Sequence, residues 1–209
     1  MKTKHLLSFS AILVAMKVTL HRGNQFLGVV VILLCTYILV APALPSATFW
    51  WHKSVTKQIP ELVAAVQDGR PPDVIPDKNT LVIPSMNLQQ EVFESKNQSA
   101  LNKGVWRFPN ASTPAEGNNT VLIGHRFTYN GPAVFYHMDL VKKGDKIVMY
   151  WDKKKYEYTV EEVTVVPPSA KEIQQRDVGE ERLTIYTCTP LMTARNRLVI
   201  IAKPDKDGP

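Results

Sequence analysis

The chain begins with apolar runs of helical length and switches at about residue 80 to short stretches that alternate. Residues 26–47, FLGVVVILLCTYILVAPALPSA, hold no ionisable group beyond one thiol and one phenol. As a helix this run reaches roughly 33 Å, enough for the hydrocarbon core of a bilayer. Trp50 and Trp51 follow where an interfacial aromatic belt belongs. An earlier run at 6–16, LLSFSAILVAM, is too short to span. Residues 59–79, IPELVAAVQDGRPPDVIPDKN, read as a short helix followed by a Pro-rich spacer. Beyond them TLVIPSM, NLQQEVFE, TVLIGH, KIVMYW, KYEYTVEEVTVV, RLTIYTC and RLVIIAK are β-branched or aromatic runs. Turn signals such as PAEGNN, KKGDK and DVGEE separate them, and DKKKY marks a hairpin tip. Helical segments are few: SALNKG, PAVFYHM and SAKEIQQ. The pattern predicts an all-β barrel or sandwich of roughly 130 residues.

Charge sharpens this division. The net charge of +6 comes from 25 basic and 19 acidic residues. Lys2, Lys4, Lys17, Arg22, Lys53 and Lys57 all precede the first carboxylate, Glu61, which leaves 19 basic against 19 acidic residues from 61 onward. The excess belongs to the N-terminal segment, so a nucleic-acid surface on the main domain is not supported. Four cations precede the span and only two follow closely, which predicts a cytoplasmic N-terminus. A cleaved signal sequence is the competing reading, but the apolar core exceeds the 7–15 residues typical of signals. The expected organisation is a basic N-terminus over 1–25, a transmembrane anchor over 26–47, a stalk over 48–79 and a catalytic domain over 80–209, outside the cytoplasm. Sequons at Asn97, Asn110 and Asn118 are expected on exposed loops.

Only two cysteines exist, and Cys35 lies within the span. Cys188 is therefore an unpaired thiol in a compartment where disulfides are normal. It ends the apolar run RLTIYTC, and Pro190, which lacks an N–H, closes the strand. His125 ends another strand, with Gly124 allowing close approach, whereas His137 sits among aromatic residues where a structural role is expected. Arg195 and Arg197 open a third strand and share a face. A thiol, an imidazole and a guanidinium are sufficient for acyl transfer through a thioester. Each alone has a blander reading, as a buried small side chain or a solvated loop residue. No metal-ligand spacing, P-loop or dinucleotide fingerprint occurs, so neither a metal nor a cofactor is expected.

Taken together, TVLIGHR, TIYTC and RNRLVI resemble the sortases, membrane-anchored cysteine transpeptidases of bacterial surfaces, in order and relative spacing. The resemblance covers residues 80–203. The family's T-L-x-T-C signature is matched by Thr184-Ile185-Tyr186-Thr187-Cys188, with isoleucine for leucine. CTPLMTARNRLVI is most similar to the class E branch, with Thr193 where that branch often has serine. The resemblance implies a closed eight-stranded β-barrel and catalysis by His125, Cys188 and Arg197, with Arg195 a rival for the oxyanion role. It implies cleavage of an L-P-x-T-G- or L-A-x-T-G-like motif between Thr and Gly, then transfer of the acyl group to a cell-wall amine. The partners implied are surface proteins with a C-terminal sorting signal. Thr187, Thr128, Tyr129 and Arg195 are candidate substrate contacts. No D-P-aromatic lid motif occurs in the spacer, which favours a housekeeping or single-attachment role. The alternatives are a thiol peptidase hydrolysing the same motif and a catalytically silent surface assembly module.

Overall fold

The structure, a computed structural model, describes residues 3–41, 44, 47, 59–191 and 193–205. It divides into two compact units, 1–58 and 59–209.

The first unit contains α1 (Thr3–Val40), which joins the first apolar run to the second, as far as Val40, in one helix. Its apolar section, His21–Val40, has a mean hydropathy of 2.0 and the length to cross a membrane. This section starts five residues before the expected span, and the helix stops before that span ends. Pro42 accounts for the stop, because proline disfavours helical backbone in the residue ahead of it. Inside the apolar section the Thr36 hydroxyl donates to the Ile32 carbonyl at 2.8 Å, so this polar group needs no water. Residues 48–58 of the expected stalk lie outside the described residues.

The second unit starts with α2 (Glu61–Asp68), ended by Gly69 in the left-handed region. Ten strands follow: β1 (Thr80–Ile83), β2 (Leu88–Glu94), β3 (Val105–Arg107), β4 (Asn119–Ile123), β5 (Phe127–Thr128), β6 (Gly131–Pro132), β7 (Lys146–Trp151), β8 (Lys154–Val166), β9 (Arg182–Thr189) and β10 (Asn196–Pro204). Eight close into a barrel in the order β1-β2-β3-β4-β9-β10-β8-β7, and β5 and β6 form a separate hairpin. The β2–β3 and β4–β9 pairs are parallel, and the remaining neighbours are antiparallel. Closure removes the exposed sheet edges that would otherwise invite pairing between chains.

Alternation along each strand sends one set of side chains into the barrel. Leu81, Leu122, Ile147, Leu183, Ile185 and Ile200 meet there, all fully buried. The DKKKY tip forms as expected: Asp152 and Lys153 have φ of 47° and 63°, the pair of left-handed residues a two-residue hairpin requires. The seven sequence-predicted strands all form. The eighth, β3, has only three residues, too few to show a period, and is held by β2 and β4.

Two expectations change. The stalk helix α2 is seated on the barrel, with Leu62 and Val63 packed against Val82, Val148 and Tyr150 on the outer face of β1 and β7. Its amphipathic stripe finds a strand face that would otherwise be wet. The segment PAVFYHM is not a helix. It makes turns that send Phe135 and Met138 into the core, with one 3-10 turn at Met138–Leu140. Of the sequons, Asn97 and Asn110 are exposed, but Asn118 is half-buried and its partner Thr120 is fully buried in β4.

Candidate active site

The outer faces of β4, β9 and β10 are buried as well, which explains why TVLI and LTIYT read as nearly continuous apolar runs. Val121, Tyr186 and Val199 pack there with Ala111 and Ile173. Where this cover ends, the strand tips border a groove of about 290 Å³.

Register brings the reactive groups together at that groove. In the antiparallel β9–β10 pair, Cys188 lies opposite Arg197. In the parallel β4–β9 pair, Ile123 lies beside Tyr186, and the Gly124 amide still donates to the Tyr186 carbonyl at 3.4 Å. Two residues further along both chains, His125 leaves the sheet beside Cys188. His125, just past the end of β4, and Arg197, on β10, therefore flank Cys188, with neighbouring strands in such a sheet ~5 Å apart. All three line the groove. Cys188 and His125 are both half-buried, reachable yet partly shielded from water.

Backbone contacts fix each member. Gly124 has no room for a side chain: a Cβ there would fall 2.6 Å from Phe135 and 2.8 Å from Val134. The His125 carbonyl accepts from the Phe135 amide at 3.0 Å. Thr187 also lines the groove, and its buried hydroxyl donates to the Gly124 carbonyl at 2.7 Å. The residues beside the thiol and the imidazole are thus tied to each other. The Arg197 guanidinium donates to the carbonyls of Ala194 and Asn196, at 3.1 and 3.0 Å, and has no carboxylate partner among the described residues. Its charge is left for something in the groove.

The other candidates are placed differently. Arg195 is exposed and lies before the last β9–β10 pair, Asn196 with Thr189, so Arg197 and not Arg195 stands across from the thiol. Thr128 closes the β5–β6 turn: its hydroxyl accepts from the Asn130 amide and donates to the Gly131 carbonyl. Tyr129 stands fully exposed at that hairpin's tip. Neither Arg195, Thr128 nor Tyr129 lines the groove. His137 packs edge-on against Tyr136, and burial pushes its imidazole below the ordinary value, with Asp139 opposing and Arg126 assisting.

Several groove residues were not singled out from the sequence. Leu101, Trp106, Phe108 and Ile123 supply an apolar wall, and Gln98 and Gln174 add amides. Tyr186 shares the face of Cys188 two positions earlier, and its hydroxyl accepts from the Gln174 amide at 2.6 Å. Burial pushes this phenol up to about 12. Alternation alone could have flagged Tyr186. The wall residues come from distant segments and carry no local signal.

Comparison with known proteins bears on the family and the fold. The family model described as Sortase domain matches residues 81–205. The chain is 31% identical over 118 residues to sortase A of Bacillus anthracis, covering 56% of this chain and 55% of that protein. It is 26% identical over 131 residues to sortase A of Streptococcus agalactiae serotype III, covering 61% and 53%. The chain thus spans about half the length of these curated relatives. Among solved structures, sortase C1 of Streptococcus agalactiae in complex with MTSET is similar with a TM-score of 0.56 and 27% identity, over 63% of this chain and 71% of that one. The pilus-related sortase C of Group B Streptococcus is similar with a TM-score of 0.57 and 26% identity, over 65% and 70%.

Proposed function

Because the chain belongs to the sortase family and sets a thiol between an imidazole and a guanidinium, we propose that it is a membrane-anchored cysteine transpeptidase. The observation that carries this reading is the shared register of β4, β9 and β10, with Cys188 between His125 and Arg197 at one groove.

The Cys188 sulfur, as thiolate, attacks the carbonyl carbon of the scissile peptide bond. Negative charge that develops on the carbonyl oxygen is stabilised by the Arg197 guanidinium. The C–N bond then breaks, and the departing amine takes its proton from the His125 imidazolium. A thioester on Cys188 remains. An acceptor amine adds to the same carbonyl, gives up a proton to the imidazole and expels the sulfur. Hydrolysis follows the same course with water as the acceptor.

The substrate proposed is the C-terminal sorting signal of a surface protein, of L-P-x-T-G or L-A-x-T-G type, cut between Thr and Gly, with a cell-wall amine as acceptor. The apolar wall of Leu101, Trp106, Phe108 and Ile123 suits the leucine or alanine end of such a motif. Similarity of CTPLMTARNRLVI to the class E pattern supports that class. Tyr129 and Arg195, both exposed, are proposed to meet substrate beyond the groove, with Thr128 beside them and Thr187 within it; Thr187 also holds the Gly124 backbone and Thr128 the β5–β6 turn. The basic leader ahead of the apolar section of α1 supports a single-pass arrangement with the N-terminus cytoplasmic and the barrel outside.

Incubating the full chain with a quenched-fluorescence sorting peptide, with and without an amine, tests this reading. Cleavage, an amine adduct by mass spectrometry, and loss of both in Cys188→Ala are expected. Cleavage that persists in Cys188→Ala would remove the thiol from the reaction. Cleavage without an adduct would leave only a hydrolase.

A further inference from the structure

Arg126 follows His125 directly and is only 7% exposed, the one basic side chain among the buried described residues. A guanidinium out of water needs partners that hold it in place. Its Nη2 atom pairs with Asp139 Oδ1 at 2.8 Å, Nη1 donates to Thr189 Oγ1 at 2.9 Å, and Nε donates to the Tyr136 carbonyl at 3.3 Å. Two of these partners lie on the segment after the β5–β6 hairpin. The third is the last residue of β9, next to Cys188.

Side chains alternate along β9, so Thr189 projects to the side opposite Cys188, and the Arg126 side chain reaches that side to meet it. There the Arg126–Thr189 hydrogen bond spans the same two chain segments that carry the imidazole and the thiol at the groove. Backbone bonds from Ala133 to the Arg126 carbonyl and from Phe135 to the His125 carbonyl, at 3.2 and 3.0 Å, fix the far side of the same segment. The carboxylate of Asp139 compensates the buried charge. β4 itself ends at Ile123, two residues before the histidine. Beyond the end of β4, the Gly124 amide's bond to the Tyr186 carbonyl, the Thr187–Gly124 contact and this guanidinium tie the histidine's segment to β9.

We infer that Arg126 is a positioning residue which, by gripping Thr189, sets the separation of His125 from Cys188. This rests on the transpeptidase reading for its consequence in turnover, but the contact also governs the reactivity of the thiol itself. The Thr189 hydroxyl is the specific half of the device, since it can be removed with little change in shape.

The test uses the full chain carrying Arg126→Met, Arg126→Lys or Thr189→Val, and the Arg126→Met/Thr189→Val pair. Alkylation of Cys188 by iodoacetamide, resolved from Cys35 by peptide mass spectrometry, is followed across pH. His125→Ala supplies the profile of a thiol without its imidazole. Kinetics on the sorting peptide and thermal unfolding accompany it. Thr189→Val and Arg126→Met are expected to move the alkylation profile toward that of His125→Ala. They should also lower kcat by up to about 100-fold, as expected for a displacement near 1 Å, with KM within about twofold. The double variant should be no worse than Arg126→Met, and Arg126→Lys should recover part of the loss. If Arg126→Met does not fold, Thr189→Val and Arg126→Lys decide. Wild-type alkylation profiles and kcat in folded variants would overturn the inference, as would losses no larger than the unfolded fraction. If the wild type cleaves no peptide but the profiles still shift, the positioning role stands and the transpeptidase reading falls.

Discussion

Replacing Gly124 by alanine tests how closely the site depends on packing behind it. A Cβ at this position would lie 2.6 and 2.7 Å from two ring carbons of Phe135 and 2.8 Å from a methyl of Val134. Carbon atoms in ordinary contact sit about 3.5–4.0 Å apart, so something must withdraw by roughly 1 Å. Phe135 cannot do so freely. Its ring is fully buried in the barrel core, and its amide is bonded to the His125 carbonyl. The relief therefore falls on the backbone of 124–125, which carries the imidazole and accepts the Thr187 hydroxyl. Overpacking of this kind costs about 1–3 kcal/mol, and a 1 Å misplacement of a catalytic group costs about 100-fold in rate. The expected variant is folded, melts several degrees lower and loses about two orders of magnitude in kcat against a sorting peptide. Adding Phe135→Leu should return part of the rate while lowering stability further, a coupling that a double-mutant cycle would measure. A folded Gly124→Ala protein with kcat within twofold of wild type would refute the reasoning.

Other outcomes follow from the same packing and charges. Asn119 is fully buried, donates to the Gln175 carbonyl and accepts from the Thr184 hydroxyl, both at 2.7 Å. Asn119→Ala should cost about 3 kcal/mol in denaturant unfolding, by stranding both partners. Leu62→Ala should cost about 2–5 kcal/mol by opening a cavity between α2 and the barrel. A loss below about 0.5 kcal/mol would mean that α2 is not part of the folded unit. Burial holds the Glu181 carboxyl above its ordinary value. A raised folded value means that this group's stability contribution is present at low pH and lost as pH rises through it. Glu181→Gln should therefore raise the melting temperature at pH 7 and leave it nearly unchanged near pH 3. A stabilisation equal at both pH values would count against the assignment.

The strands and the candidate reactive residues are legible because they are local. Period-two runs and a two-residue turn identify β7 and β8, and a lone cysteine at a strand end stands out without any partner in view. Convergence of His125 and Cys188 was not local. It depends on β4 and β9 running parallel, 63 residues apart at Gly124 and Thr187, where the hydroxyl bridges them. Spacing along the chain does not encode which strands become parallel neighbours, so only family resemblance could anticipate that arrangement. Arg195 against Arg197 shows the same limit at closer range: both share a face, and only the β9–β10 register places Arg197 opposite the thiol.

The face that a side chain occupies also decides what it can do. Thr187, a candidate substrate contact, lines the groove next to the thiol, with its side chain on the opposite strand face from Cys188. Its hydroxyl secures the Gly124 carbonyl from that face. Arg126 and Thr189 stand in the same relation to His125 and Cys188. The groove side of this sheet edge thus carries the groups proposed to react, and the reverse side carries the contacts that hold them in register. Apolar substitutions at Thr187 and Thr189 should consequently reduce turnover through geometry, with little effect on peptide affinity.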